Sequence, residues 1–314
     1  MIMRFQSQFQ HSPSQHTLLR QLAGKRDRTR KESFFLISEL ATQGVPEFKT
    51  LYARLQQQYT HPDAHAFLEK LRVQWEAIQE IETFQQCLDD AELMRELYQL
   101  DKPYFETGKK HQNIALVIFT TMYNNFYFSN LVMLALLRQL GISLLFLKDT
   151  SYFNYLNGIP GFSEDFSTSS VSIAEFLRNK GIDDIFITGF SSGGFASLLM
   201  SNRIQCCGYL GFSIRSDISE QSKLPTGQYM TEEIKAQLDP DVCVDMVKIL
   251  TEKDDGVQRK VIYGSESKTD EAHARHLASV PGMQISELKE CKHTTPALLL
   301  ENRRLLEEFK SLIF

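Results

Sequence analysis

Hydrophobic and polar positions follow two different patterns along the chain, and the change falls near residue 110. Before that point, apolar side chains recur every three or four positions, which is typical of helices that bury one face. One such face holds Phe48, Leu51, Tyr52, Leu55 and Tyr59, and another holds Phe67, Leu68, Leu71, Trp75 and Ile78. Gly44 and Pro46 separate one helix from the next, and Thr60-His61-Pro62-Asp63 predicts a helix start. The pattern predicts an N-terminal module that is α-helical from about Gln15 to Leu100.

Short apolar runs and helical segments alternate after residue 110. The predicted strands are Ile114–Phe119, Ile142–Leu147, Ile185–Thr188, Cys207–Phe212, Lys260–Tyr263 and Gln284–Leu288. The predicted helices are Asn130–Leu140, Val171–Lys180, Phe195–Arg203, Asp270–Ala278 and Glu301–Ile313. This alternation predicts an α/β fold with a doubly wound, mostly parallel sheet. We therefore divide the chain into an α-helical N-terminal module, residues 1–110, and an α/β domain, residues 111–314.

The boundary between the two parts carries two breaks in the helical pattern, Asp101-Lys102-Pro103 and Gly108-Lys109-Lys110. They predict an exposed linker that a protease cuts between about Leu100 and Asn113. We expect a protein partner, if one exists, to bind the helical module that precedes this linker.

A candidate nucleophile follows the Ile185–Thr188 strand, where Gly189-Phe190-Ser191-Ser192-Gly193-Gly194 fits G-x-S-x-G. A serine that points out of a sharp strand-to-helix turn needs a strained backbone, and the glycines leave room for strand and helix to approach. The predicted strand before the motif and the predicted helix after it supply the required context. Ser192 is the rival nucleophile, but its backbone N–H is better placed to stabilise an oxyanion. We favour Ser191.

A general base should follow the nucleophile and the acid along the chain, and of eight histidines only His273, His276 and His293 lie beyond Ser191. His293 comes after the last predicted strand, in a loop at the carboxyl edge of the sheet. The other two fall in a predicted helix and suit a solvated surface. His293 is the favoured base.

Three residues compete for the role of the acid that orients the histidine. Asp270 follows the Lys260–Tyr263 strand and also suits the N-cap of the next helix. Asp217, after the Cys207–Phe212 strand, and Glu266, closer to a strand end, are the alternatives. Asp270 is favoured because it combines a position after a strand with the expected chain order.

The oxyanion hole requires a second backbone donor from the loop after Ile114–Phe119, which begins Thr120-Thr121-Met122. Thr120 or Thr121 is the expected donor, beside Ser192. Aromatic residues cluster in two nearby loops, and they either line a substrate pocket or pack in the core. The candidates for lining are Tyr123, Tyr152, Phe153 and Tyr155.

Composition and charge bear on which classes of partner, and which cellular compartment, are expected for the protein. A hydrophobic fraction of 42%, a charged fraction of 23% and a net charge of −5 are those of an ordinary globular protein without a basic field for nucleic acid. No apolar stretch suggests a membrane span or a signal peptide. Five cysteines without a CxxC pair indicate free thiols in a reducing compartment, so a cytoplasmic location is expected.

From about residue 113 onward the chain resembles the α/β-hydrolase superfamily, through the Gly189–Gly194 motif and the late His293. It is also similar to bacterial hydrolase-like domains that occur beside polysaccharide-related or helical-repeat modules. The segments that carry this second likeness are Leu147-Lys148-Asp149, Gly158-Ile159-Pro160-Gly161, Phe212-Ser213 and Asp270-Glu271-Ala272-His273-Ala274. The resemblance supports Asp270 as the acid and an aromatic loop at Tyr152–Phe162 beside the site. Thr120-Thr121 departs from the family pattern, which usually has glycines there.

The resemblance implies a serine hydrolase of the carboxylesterase or acyl-hydrolase type, acting through an acyl-Ser191 intermediate. His293 would take the serine proton and later activate water, with Asp270 orienting the ring. The expected substrate is a small-molecule or glycan-linked acyl ester or thioester, and this chemistry needs no metal or cofactor. Two alternatives stay open: acyl transfer to an alcohol or sugar hydroxyl, and a catalytically degenerate hydrolase fold serving as a binding or scaffold protein.

Overall fold

The structure is a computed structural model, and it describes residues 29–151, 153–225, 230–252 and 255–314. The helices before the sheet are α1 (Arg30–Gln43), α2 (Glu47–Gln58), α3 (Pro62–Gln79), α4 (Phe84–Asp89) and α5 (Ala91–Leu97). The strands are β1 (Tyr104–Glu106), β2 (His111–Phe119), β3 (Ile142–Leu147), β4 (Asp184–Phe190), β5 (Gly208–Phe212), β6 (Gln258–Gly264) and β7 (Met283–Leu288). The remaining helices are α6 (Asn130–Arg138), α7 (Phe166–Asn179), α8 (Gly194–Arg203), α9 (Glu232–Lys235), α10 (Met246–Glu252), α11 (Lys268–Leu277), α12 (Thr295–Glu301) and α13 (Leu305–Ile313).

Within the described ranges, seven strands form one sheet in the order β1-β3-β2-β4-β5-β6-β7. Every neighbouring pair is parallel except β1 with β3, which is antiparallel at the edge. The chain moves from β2 to β3 on one side and then crosses back to β4 on the other. This confirms the predicted fold class, an α/β fold with a doubly wound, mostly parallel sheet preceded by helices. The crossing places a topological switch point between β2 and β4, where such sheets bind ligands at the carboxyl ends of the strands.

Strand β1 falls in the segment that the sequence pattern assigns to the linker. Three residues are too few to show an alternation of polar and apolar positions. Its register sets Tyr104 opposite Phe146 of β3, and the two rings make an edge contact with centroids 6.3 Å apart. Pairing with a neighbour distant in sequence, and not local pattern, makes this segment a strand.

The helices of the N-terminal region follow the predicted punctuation. Gly44 ends α1 in the left-handed conformation, with φ at 70°, and Pro46 is the N-cap of α2. Pro62 occupies the first turn of α3, where the side chain of His61 accepts a hydrogen bond from the N–H of Asp63. The predicted helical residues 15–28 lie outside the described residues.

The buried apolar side chains form three groups. One group lies among α1, α2 and α3, around Leu40, Phe48 and Trp75. A second covers one face of the sheet and includes residues from α3 to α5, such as Ile78 and Phe84. The third covers the other face, under α7, α8 and α10. Residues 77–97 therefore share a core with the sheet, although they precede the predicted boundary near residue 110.

The segment that joins these helices to the sheet is tied down by hydrogen bonds. The buried Nζ of Lys148 donates to the carbonyl oxygens of Gln99 and Lys102. Farther on, the N–H of Gly108 donates to Ser143 Oγ at 2.9 Å. The sequence predicts an exposed linker here, and residues 101, 102 and 109–113 are exposed. The backbone of the segment is also hydrogen-bonded to two groups that lie on β3 or directly after it.

The predicted helix Glu301–Ile313 is wrong at its start. The chain instead ends α12 at Glu301 and begins α13 at Leu305. Arg303 between them has a φ of 59°, which a continuous helix does not allow. Its guanidinium binds the carboxylate of Glu80 at 2.5 and 2.6 Å. Because Glu80 is the C-cap of α3, this ion pair links the interruption between α12 and α13 to the end of α3.

Across the described ranges, no helix combines the length and the apolar character that crossing a membrane would require.

Candidate active site

Ser191 stands directly after β4, in the sharp turn that leads into α8. Its φ is 52°, in the left-handed region that residues other than glycine rarely adopt. A side chain on Gly189 would come within 2.1 Å of Ser197 Oγ. One on Gly193 would come within 2.3 Å of the carbonyl oxygen of Thr120, at the end of β2. These close approaches explain why the turn needs G-x-S-x-G.

His293 lies beside Ser191 although 102 positions separate the two residues in sequence. Its Nε2 is 2.7 Å from Ser191 Oγ, and its ring contacts Phe190, the last residue of β4, with centroids 5.5 Å apart. The side chain of His293 is 46% exposed, which leaves the ring accessible from solvent.

Asp270 holds the other side of the His293 ring. Its two carboxylate oxygens are 3.0 and 2.9 Å from Nδ1. Asp270 is only 4% exposed, so water competes little for this bond. A proton on Nδ1 that is donated to Asp270 leaves Nε2 as an acceptor for the hydroxyl of Ser191.

The predicted capping role of Asp270 is wrong. Ser267 is the N-cap of α11, and its Oγ accepts a hydrogen bond of 3.3 Å from the N–H of Asp270. Asp270 is thus in the first turn of the helix, and its carboxylate is used by His293 instead of by the helix end. Ser267 lies three residues before Asp270, which is the spacing at which an N-cap side chain accepts a backbone N–H of the first turn.

The loop that carries His293 is held against the end of β6. The N–H of Glu266 donates to the carbonyl oxygen of Cys291 at 2.8 Å. The carbonyl oxygen of Lys292 approaches Gly264 so closely that a side chain on this glycine would lie 1.9 Å from it. Gly264 is therefore required for the position of the loop, which the sequence pattern does not reveal.

The two alternative acids have other surroundings. Asp217 accepts the N–H of Ser219 at 2.9 Å, and its backbone forms an isolated bridge with Asp245. Glu266 has an exposed side chain. Within the described part of the chain, the carboxylate bonded to His293 is that of Asp270.

The two other candidate histidines belong to the packing behind the site. His273 Nδ1 accepts the N–H of Ser216 at 3.1 Å, and Nε2 is 2.9 Å from the carbonyl oxygen of Pro225. Burial lowers the pKa of His273 below its usual value, so the ring is neutral near pH 7. His276 Nδ1 is 3.0 Å from Ser216 Oγ. Both rings hold the loop after β5 against α11.

One group of metal-ligand side chains occurs among the described residues. Ligand atoms of Asp217, Asp245 and His276 all lie within 4.8 Å of one another. The carboxylate of Asp245 accepts the N–H of Val247 at 2.9 Å, and its Oδ1 is 3.5 Å from His276 Nε2. Together with the bond from Ser219 to Asp217, these contacts give each of the three side chains a partner within the loop structure.

The loop after β2, which carries the expected oxyanion donors Thr120 and Thr121, lies against the nucleophile turn. The N–H of Thr121 donates to the carbonyl oxygen of Asn125 at 2.7 Å, within its own loop. Thr120 is fully buried, and its hydroxyl donates to the carbonyl oxygen of Leu147 at 2.9 Å. The N–H of Met122 instead reaches Ser192 Oγ at 2.8 Å. Without an HGGG run, nothing in the sequence singles out this residue.

The predicted lining residues divide between surface and core. Tyr123 is 38% exposed, on the loop after β2, and Phe153 is half-buried. Tyr155 cannot line a pocket, because it is fully buried and its hydroxyl donates to the carbonyl oxygens of Thr120 and Leu147 at 3.1 and 3.0 Å. Tyr155 therefore packs in the core, which is the second of the two alternatives that the sequence leaves open for these aromatic residues. Tyr152 lies outside the described residues.

Comparison with known proteins gives similarity in structure alone. No family model matches the sequence, and a search of curated proteins finds no match. An alpha/beta hydrolase enzyme from the metagenome of lagoon sediments at Mar Chica, Morocco, is 15% identical, with a TM-score of 0.45 over 68% of this chain and 97% of that one. A lipase-esterase related protein from Clostridium acetobutylicum is 17% identical, with a TM-score of 0.44 over 68% of this chain and 99% of that one. A thermophilic esterase from Thermogutta terrifontis is 12% identical, with a TM-score of 0.47 over 67% of this chain and 85% of that one.

Proposed function

We propose that this chain, whose sheet order and nucleophile turn are those of the α/β-hydrolase fold, is a serine hydrolase. It cleaves an ester or thioester through an acyl-Ser191 intermediate. The observation that carries the proposal is the continuous hydrogen-bond chain from Ser191 Oγ through His293 to the buried carboxylate of Asp270. A nucleophile, a base and a residue that orients the base, each within hydrogen-bond distance of the next, form the arrangement that activates a serine.

The first half of the reaction acylates the serine. His293 Nε2 takes the proton of the Ser191 hydroxyl as Oγ attacks the carbonyl carbon of the substrate. The resulting imidazolium is stabilised by the carboxylate of Asp270. His293 then gives the proton to the leaving alcohol or thiol, and its exposed edge provides the path for that group to depart.

Two backbone N–H groups are assigned to the oxyanion of the tetrahedral intermediate. One belongs to Ser192, directly after the nucleophile. The other belongs to Met122, which lies in the loop after β2 and already contacts Ser192. In the described state Ser192 Oγ accepts the N–H of Met122, and the developing oxyanion replaces it as acceptor because a charged acceptor forms the stronger bond.

The second half of the reaction releases the acyl group. A water molecule takes the place of the leaving group, and His293 removes its proton as it attacks the acyl carbonyl of Ser191. Transfer to an alcohol or sugar hydroxyl would use the same step with a different nucleophile, so the two reactions are separated by the acceptor supplied and not by the triad.

Covalent labelling tests the proposal. A fluorophosphonate probe should label the wild-type protein and Ser192→Ala but not Ser191→Ala, since the probe captures an activated serine. Wild-type protein should also hydrolyse p-nitrophenyl esters of graded chain length or an acyl-CoA. Labelling that persists in Ser191→Ala, or a folded wild-type protein that neither labels nor hydrolyses any of these substrates, would contradict it. The second result would favour a binding protein.

A further inference from the structure

The loop after β5 joins the segments of the acid and the base. Ser213 Oγ is 3.1 Å from the hydroxyl of Thr295, two residues beyond His293. Ser216 donates its N–H to His273, one helical turn beyond Asp270 in α11. Arg215, between these two anchors, is therefore held at the carboxyl edge of the sheet, beside the catalytic side chains.

The guanidinium of Arg215 has no hydrogen bond or ion pair with any other described residue, although the side chain is half-buried. Burial lowers its pKa, an effect that the negative charge of nearby Asp270 opposes. Asp270 is no ion-pair partner, however, because both its oxygens face His293 Nδ1. A guanidinium with five donors, partly withdrawn from water, is costly to leave unmatched.

Other partly or fully buried arginines of this protein show what a structural role looks like. Arg138 binds the carboxylate of Glu106 at 2.5 Å, and Arg259 binds that of Asp255 at 2.7 Å. Arg215 departs from this pattern among the described residues, on the loop that contacts the segments of Asp270 and His293. The net charge of −5 gives no general attraction for anions, so an anion would depend on this local group.

We propose that Arg215 binds a carboxylate or phosphate group of the substrate, so that the ester or thioester cleaved at Ser191 carries a negative charge. The planar guanidinium matches either group with two parallel hydrogen bonds. This inference rests on the proposed function, because it assigns the substrate class of the same site. Arg215 is thus a residue that determines specificity, distinct from those that carry out the bond cleavage.

Matched pairs of substrates test the inference. The first pair compares mono-4-nitrophenyl glutarate, which carries a negative charge on the acyl side, with the neutral 4-nitrophenyl valerate. The second pair compares 4-acetoxybenzoate, which carries the charge on the alcohol side, with its neutral methyl ester. The wild-type protein should prefer the charged member of one pair, mainly through KM, by about tenfold or more in kcat/KM. Arg215→Gln should lower that ratio by about the same factor, and Arg215→Glu should reverse the preference. Arg95→Gln, at an arginine whose side chain is 72% exposed, is the control and should leave the ratio unchanged.

The outcomes separate the two proposals. Neutral esters hydrolysed as fast as charged ones, or an unchanged ratio in Arg215→Gln, would overturn the role of Arg215 while leaving the hydrolase intact. If the protein hydrolyses none of the esters, glutarate and inorganic phosphate serve as direct probes of binding. One of them should raise the Tm of the wild-type protein by about 2 °C or more at saturation and that of Arg215→Gln by less. Equal shifts, or none, would overturn the inference.

Discussion

The backbone N–H of Met122 donates a hydrogen bond of 2.8 Å to Ser192 Oγ. This contact brings the loop after β2 to the residue that follows the nucleophile, across the switch point of the sheet. The sequence has no glycine-rich loop there to point to a second oxyanion donor, and this contact is the observation that supports our proposal of Met122 for that role. Met122 is also the second residue of a turn closed by a hydrogen bond of 2.7 Å from the N–H of Asn124 to the carbonyl oxygen of Thr121. Proline is favoured at that position of a turn.

Replacing Met122 by proline should therefore remove the N–H and keep the turn. We expect kcat on a p-nitrophenyl ester to fall by about 10²- to 10³-fold, the usual effect of losing one oxyanion donor. Met122→Leu keeps the N–H and should stay close to the wild-type rate. Thermal melts check that both variants are folded. Equal rates in the two variants would remove Met122 from the oxyanion hole.

The acid is tested by two carboxamides. Asp270→Asn should lower kcat by up to about 10⁴-fold, because the amide no longer fixes the tautomer that leaves His293 Nε2 as the acceptor. Asp217→Asn should cost little catalytically, since its side chain bonds to Ser219 within its own loop. Steady-state kinetics on both, with melting curves as the folding control, decide between them. A large loss in Asp217→Asn beside a near-native Asp270→Asn would reverse the assignment.

The close packing of the nucleophile turn predicts the result of Gly193→Ala. The new side chain would lie 2.3 Å from the carbonyl oxygen of Thr120. Relieving this contact is costly, because it requires the backbone of the nucleophile turn or of the end of β2 to move. We expect lower stability and loss of fluorophosphonate labelling. Gly181→Ala is the comparison, because its side chain meets nothing within 4 Å and only its φ of 75° opposes the change, at about 1 kcal/mol. Labelling in Gly193→Ala at the wild-type rate would show that the turn tolerates the group.

The buried Lys148 should leave a signature in the pH dependence of stability. Burial lowers the pKa of its ammonium from 10.5 to about 8. Between pH 8 and pH 10.5 the unfolded chain binds more protons at this residue than the folded chain does, so its contribution to stability rises with pH. Urea unfolding measures the free energy of unfolding of the wild-type protein and of Lys148→Met. The value for the wild type minus the value for the variant should increase by about 3 kcal/mol from pH 8 to pH 10.5. A difference that stays constant with pH would contradict the shift.

The same lysine bears on the junction between the helices and the sheet. Its bonds to the carbonyl oxygens of Gln99 and Lys102, with β1 paired to β3, predict that proteases spare residues 99–113 in the folded wild-type protein. Lys148→Met should be cut there faster, as mass spectrometry of the fragments would show. Rapid cleavage of the wild-type protein at this segment would instead support the exposed linker that the sequence predicts.

Features that depend on short-range pattern can be predicted from the amino-acid sequence alone. Buried parallel strands appear as continuous apolar runs, so β3 was predicted at its observed bounds, Ile142–Leu147, and the alternation with helices gave the fold class. The turn at Ser191 could also be located, because the glycines two positions away on either side are a local requirement. His293 was favoured as its partner because it follows the last strand, and the catalytic roles of both remain predictions.

Features that depend on residues far apart in the chain can be seen only in the folded protein. Whether Asp270 or Asp217 meets His293 depends on which loop turns toward the ring, and both follow strands. The sequence leaves open whether Tyr155 lines a substrate pocket or packs in the core, and a hydroxyl bonded to two backbone carbonyls holds it in the core. Nothing in the sequence distinguishes Arg215, because an arginine that has no partner among the described residues is recognised only when its neighbours in space are known. The pattern of apolar and polar positions indicates which face of each segment is buried. Contacts between distant segments form only when the sheet brings their loops together at one edge.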